Sequence, residues 1–146
     1  MPKHLKPFNY EIFIKANFNV FTKPEFYECH VRIEFTCLNN TSKLVLHKAK
    51  DLQIKNDTVE LASMGMQPEF KIKNLNWSFY DEKLEFLVFD LKKNFFTKNN
   101  NYSIKIGFMR YFKDDDLNLG LYRSSYIDSN GTQRFKLFFF KAKNFR

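Results

Sequence analysis

Residues 27–37 read YECHVRIEFTC, and this stretch decides the fold. Tyr27, Cys29, Val31, Ile33 and Phe35 take alternate positions, with Glu28, His30, Arg32 and Glu34 between them. Successive side chains of a β-strand point to opposite faces, so strict alternation predicts a strand with one face in a core. The same period of two recurs on both sides. Upstream, Phe8, Tyr10, Ile12 and Ile14 alternate with Asn9, Glu11 and Phe13. Downstream come Leu44 and Leu46, then Phe70 and Ile72, then Tyr102, Ile104, Ile106 and Phe108 around Ser103, Lys105 and Gly107. Leu52 and Ile54, followed by Val59 and Leu61, predict a tight hairpin around KNDT at 55–58. Residues 84–91, LEFLVFDL, are apolar at both parities, which predicts a strand buried on both faces. No segment of helical length holds a period of 3.6.

Turn-forming clusters divide these runs: TKPE, NNTS, MGMQP, YDEK, KNNN, KDDD and DSNG. Short strands at such intervals predict an all-β chain, an antiparallel sandwich. A length of 146 residues fits one domain, and 44% hydrophobic residues with 19 Phe exclude a disordered chain. The net charge is +8, but Lys71, Lys73, Lys92, Lys93, Lys105, Lys136, Lys141 and Lys143 are scattered over several segments. A nucleic-acid footprint gathers on one element, so the charge reads as a solvated surface and no nucleic-acid partner is expected. No uninterrupted apolar stretch reaches the roughly 18 residues of a membrane span.

Few residues here carry chemistry. Cys29 and Cys37 lie in one extended run, roughly 26 Å apart at 3.3 Å per residue, too far for a disulfide. They read as buried free thiols. His4, His30 and His47 have no metal-ligand spacing, and His47 reads as a strand-end residue. Asp114, Asp115 and Asp116 lack the spacing of a calcium loop and read as an acidic turn. Ser124 and Ser125 have no histidine and acid at triad spacing. Trp77, Phe79 and Tyr80 read as packing residues rather than a stacking platform. The expected catalytic, metal and substrate-binding residues are therefore none. The Asn-x-Ser/Thr pattern falls at Asn39, Asn40, Asn56, Asn76, Asn101 and Asn130, each a candidate glycosylation site in a secretory setting.

Three stretches, in order, resemble the N-terminal domain of the aminopeptidase N-like zinc metallopeptidases. LKPFNYEIFIKANF (5–18) is similar to that family's opening strand. FYECHVRIEFTCLNNTSKLVLHKAKDLQI (26–54) resembles its long strand, Thr-containing turn and Leu-His strand end. LGLYRSSYIDSNG (119–131) is similar to its Gly-x-Tyr-x-Ser-x-Tyr signature. The resemblance implies a saddle-shaped β-sandwich over residues 1–133, incomplete at its C-terminal end, and a divergent apolar and basic tail over 134–146. It implies a non-catalytic domain that, in a complete enzyme, packs against the catalytic domain and supports removal of N-terminal residues from peptides. The family's single zinc belongs to that other domain, held by His-Glu-x-x-His and a further Glu, and this sequence has no His-Glu-x-x-His. No cofactor is expected in this chain, and Gln133 is not assigned the amine-binding role of the family's Thr-Gln-Phe glutamine.

The resemblance also implies exposed apolar surface and an unpaired sheet edge, which favour self-association or pairing with an aminopeptidase catalytic domain. The other function class is a stand-alone sandwich that binds a peptide, a glycan or an aminopeptidase subunit. The family includes cytosolic enzymes and membrane-anchored ectodomains. The first residues, MPKHLKPFNYEIFIKANF, carry no apolar run of signal-peptide length, while the six sequons point to the secretory route, so location stays open.

Overall fold

In the computed structural model, residues 3–17, 26–65, 68–91, 95–112 and 120–140 are described. They form ten strands and, among the described residues, no helix: β1 (Leu5–Asn17), β2 (Phe26–Cys37), β3 (Lys43–His47), β4 (Gln53–Met64), β5 (Lys71–Lys73), β6 (Phe79–Asp81), β7 (Phe86–Asp90), β8 (Asn101–Tyr111), β9 (Gly120–Ile127) and β10 (Gln133–Phe140). The chain is all-β, as its alternation predicts. It divides into two compact units, Met1–Asn17 with Tyr27–Arg110, and Phe18–Phe26 with Tyr111–Arg146.

The first unit holds two sheets. Five strands run in the order β1-β2-β8-β4-β5, and three in the order β3-β7-β6. Their apolar faces meet in one core. Phe35, Cys37, Val59, Leu61, Tyr102, Ile104 and Ile106 come from the larger sheet, and Leu44, Leu87 and Phe89 from the smaller. Each fully buried side chain of this size stabilises the fold by roughly 1.5–3 kcal/mol. β7 runs through the middle of the smaller sheet, and Leu87, Val88 and Phe89 are all buried, so its unbroken apolar run is explained by burial on both faces. Phe96, in the segment before β8, bridges to Thr41 and packs edge-on against Tyr102 at 5.0 Å and Phe35 at 5.7 Å. This aromatic group, joined by Phe70 and Phe95, closes one end of the sandwich.

The hairpin expected around KNDT does not form. β4 is one strand that pairs with β8 on both sides of a bulge: Lys55 faces Gly107 and Glu60 faces Lys105, so residues 56–59 oppose Ile106 alone. Thr58 makes this possible. Its hydroxyl donates to the Lys55 carbonyl at 2.6 Å and accepts from the Gly107 N–H at 2.8 Å, replacing ladder bonds that the extra residues interrupt. The bulge also shifts parity, so that Ile54 and Leu61 both face inward.

The second unit contains the β9–β10 hairpin, paired from Ile127↔Gln133 to Gly120↔Phe140. The stretch read as a divergent tail therefore begins as a strand; residues 141–146 lie outside the described set. The turn is organised by Asp128. Its carboxylate accepts from the N–H groups of Asn130 and Thr132, both at 2.9 Å, and from Arg134 Nε at 2.9 Å. Gly131 has φ +73°, a left-handed conformation natural to glycine.

Candidate interaction surface

Within the first unit, and among the described residues, the end of the sandwich opposite the aromatic group is open. There the larger sheet's apolar rows run past the smaller sheet, leaving Val31, Ile33, Ile54 and Phe108 around a cleft of about 270 Å³. Leu46 and Leu87 form its opposite wall. A smaller hollow of about 90 Å³ lies beside it, and Tyr10 of β1 lines both. β1 closes neither: Phe8, Tyr10 and Ile12 are 53%, 55% and 56% exposed. The strand is thus predicted correctly, and Tyr10 lies on the core side of the sheet with Val31 and Ile33, but at this sheet edge its apolar row is left largely exposed.

The polar groups His47 and Lys48 of the cleft lining, and Arg110 and Asp51 next along β8 and before β4, are tied to the protein itself. His47 ends β3 and packs against the Phe86 ring at 4.7 Å. Lys48 sits over the Tyr80 ring at 4.2 Å and donates to the Ala49 carbonyl at 3.2 Å; burial lowers its pKa. Arg110 forms a two-nitrogen contact with Asp51 Oδ2, at 2.8 Å from Nε and 2.7 Å from Nη2. Burial raises the Tyr27 pKa, and a hydrogen bond from Arg110 partly offsets it. The cleft lining is mostly apolar, with Tyr10, His47 and Lys48 as its polar members.

The outer face of the larger sheet is polar. Arg32 pairs with Glu34 at 2.9 Å and Glu11 at 3.8 Å, Asn9 donates to Glu34, and Lys55 pairs with Glu28. Phe13, 65% exposed, interrupts this pattern.

Among the described residues, the potential zinc donors lie apart. His4 precedes β1, His30 lies on β2 against Gly107, and His47 is held by Phe86. Among the described residues, no three His, Cys, Asp or Glu side chains converge on one point. Cys29 and Cys37 are buried free thiols; burial pushes Cys29 up to about 11. Ser124 and Ser125 lie on β9 opposite Lys136 and Phe135. Trp77 and Tyr80 pack on the core while Phe79 is exposed, so the three share no platform. Asp114, Asp115 and Asp116 lie outside the described residues.

All six sequon asparagines, Asn39, Asn40, Asn56, Asn76, Asn101 and Asn130, are exposed. Their surroundings differ. Thr58, of the Asn56 sequon, is committed to the β4 bulge, and Ser103, of the Asn101 sequon, is buried. The Asn40 side chain accepts from the Lys98 N–H at 2.7 Å. The cleft is what sequence reasoning missed. Its signal was a mismatch in length: the inward rows of β2 and β8 are longer than the strands that cover them.

The chain, with a two-sheet core in its first unit and a Gly-x-Tyr-x-Ser-x-Tyr strand in the hairpin of its second, was compared with known proteins. A family model described as the peptidase M1 N-terminal domain matches residues 6–146. The chain belongs to that family. A puromycin-sensitive aminopeptidase of Caenorhabditis elegans is 29% identical over 135 residues, which is 92% of this chain. The chain spans 13% of the length of that relative. As a peptidase M1 N-terminal domain, it carries the all-β architecture and the aminopeptidase resemblance together.

Proposed function

We propose that this chain acts as the non-catalytic N-terminal β-domain of a zinc aminopeptidase, supporting the removal of N-terminal residues from peptides. The observation that carries this reading is the family match across residues 6–146. The open end of the sandwich supports it. An apolar cleft of about 270 Å³ beside exposed Tyr10 and Ile12 is the kind of surface that a neighbouring domain buries. The zinc and the water it activates belong to the catalytic domain; the residues described here hold the docking face.

A domain exchange tests this. The matching segment of the nematode relative is replaced by this chain, and hydrolysis of an aminoacyl anilide is measured with zinc present. The exchange should retain hydrolysis that deletion of the segment abolishes, while the 146-residue chain alone stays inert. Hydrolysis by the chain alone, or an exchange as inactive as the deletion, would refute the reading.

A further inference from the structure

We infer that two copies of this chain associate through β1, pairing antiparallel and edge to edge about a two-fold axis at Phe13. β1 is the terminal strand of the five-stranded sheet, 13 residues long, and among the described residues no strand pairs with its outer edge. A long free edge is a template for another strand. β1 carries the charges Lys6, Glu11 and Lys15 and a proline, Pro7, but among them Phe8, Tyr10, Ile12 and Phe13 stand exposed within six residues.

The occupant is fixed by register. In an antiparallel pair, residue i faces j with i + j constant. Backbone hydrogen bonds across a shared edge require i and j to have the same parity, so the two-fold must pass through a residue. Centred on Tyr10, Lys15 faces Leu5 and Glu11 faces Asn9. Centred on Glu11, that carboxylate faces itself. Centred on Ile12, Glu11 faces Phe13. Centred on Phe13, Glu11 of each copy faces Lys15 of the other, and Ile12 faces Ile14. Opposite charges directly across a sheet stabilise the pair, and like charges oppose it. Glu11 is 61% exposed and touches Arg32 through one oxygen at 3.8 Å, so it has room for a second cation.

The same register accounts for two further features. Phe13, the apolar residue on an otherwise polar face, meets its own copy at the axis. The paired segment spans residues 9–17 and leaves out Pro7, which has no N–H to give a ladder. This self-complementarity is a property of a strand pairing with itself, which commits the edge to a second copy rather than to an unrelated chain.

Sedimentation of the 146-residue chain should show a reversible dimer. Lys15→Glu places two carboxylates opposite each other and should weaken it by about tenfold or more. Combining it with Glu11→Lys should restore the dimer, because the charges are then exchanged. Cysteine variants read the register directly. Under mild oxidation Phe13→Cys should form a covalent dimer. Glu11→Cys should not, since its two copies lie about 13 Å apart along the strands. A monomer up to the solubility limit would overturn the inference. So would a dimer indifferent to Lys15→Glu, or equal cross-linking by the two cysteine variants.

Discussion

A Cβ added at Gly107 would lie 2.5 Å from Thr58 Oγ1 and 3.0 Å from His30 Nδ1. The glycine is there because the Thr58 hydroxyl must come close enough to bond the Gly107 N–H. Gly107→Ala should cost about 1–3 kcal/mol through overpacking. Thr58→Ala should cost about the same by leaving a part-buried N–H without its acceptor. The double variant Gly107→Ala/Thr58→Ala should lose less than the sum of its single changes, because the second removes the atom the first strikes. Urea unfolding of the four proteins checks this; strict additivity would show that the two residues do not share a contact. A glycine inside an alternating run signals a close approach, so half of this arrangement was legible in the sequence. The other half was not, because Thr58 is 49 residues away and sits in a stretch that reads equally well as a turn or a sequon.

Among the elements, the turn of the β9–β10 hairpin was legible in DSNG, whereas most of β10 lies in the stretch read as a divergent tail. Asp128 and Arg134 make the hairpin's pH response predictable. The Asp128 pKa is lowered first by Arg134, then by the Thr132 N–H. A carboxyl depressed in the folded state contributes stability above its unfolded pKa of about 3.9, which is lost as pH falls through the folded value. The hairpin amides should therefore lose protection below pH 4 before the rest of the chain does, and Asp128→Ala should remove that step. Amide exchange followed by NMR reads it; a hairpin as protected at pH 3 as at pH 6 would contradict it. Gly131→Ala adds a separate penalty of about 1 kcal/mol, from a side chain at positive φ. β4 was misread for a physical reason. KNDT has turn chemistry, and apolar residues flank it on both sides, as in a hairpin. What selects a bulged strand is β8, which pairs with Ile54 through Phe108 and with Leu61 through Ile104. That choice is non-local. β1 fails in the same way: alternation identifies a strand but not its place in the sheet order.

Across the whole molecule, the two thiols act as internal reporters of opening. Cys29 and Cys37 are 3% and 0% exposed, and the Cys37 thiol donates to the Asn39 carbonyl at 3.0 Å. Burial raises both pKa values, so little thiolate exists near neutral pH. Labelling by a thiol reagent at pH 8 should be slow and should accelerate with urea in step with loss of the β signal. Rapid labelling of either cysteine in the native protein would show that the sandwich opens locally. Their burial was legible from one alternating stretch; the open cleft was not, because it depends on how far one sheet extends beyond another.

The β4 bulge has a consequence for how such a domain tolerates changes in length. Residues 56–58 form a pocket of slack in mid-sheet, with intact pairing on either side. With Thr58 kept, adding a residue beside Asn56 or Asp57, or removing one of them, alters chiefly the arc of the bulge. Removing one from β8, which has no such slack, would turn every side chain beyond the lesion to the opposite face. Insertions and deletions should therefore collect at this internal site as readily as in the end loops.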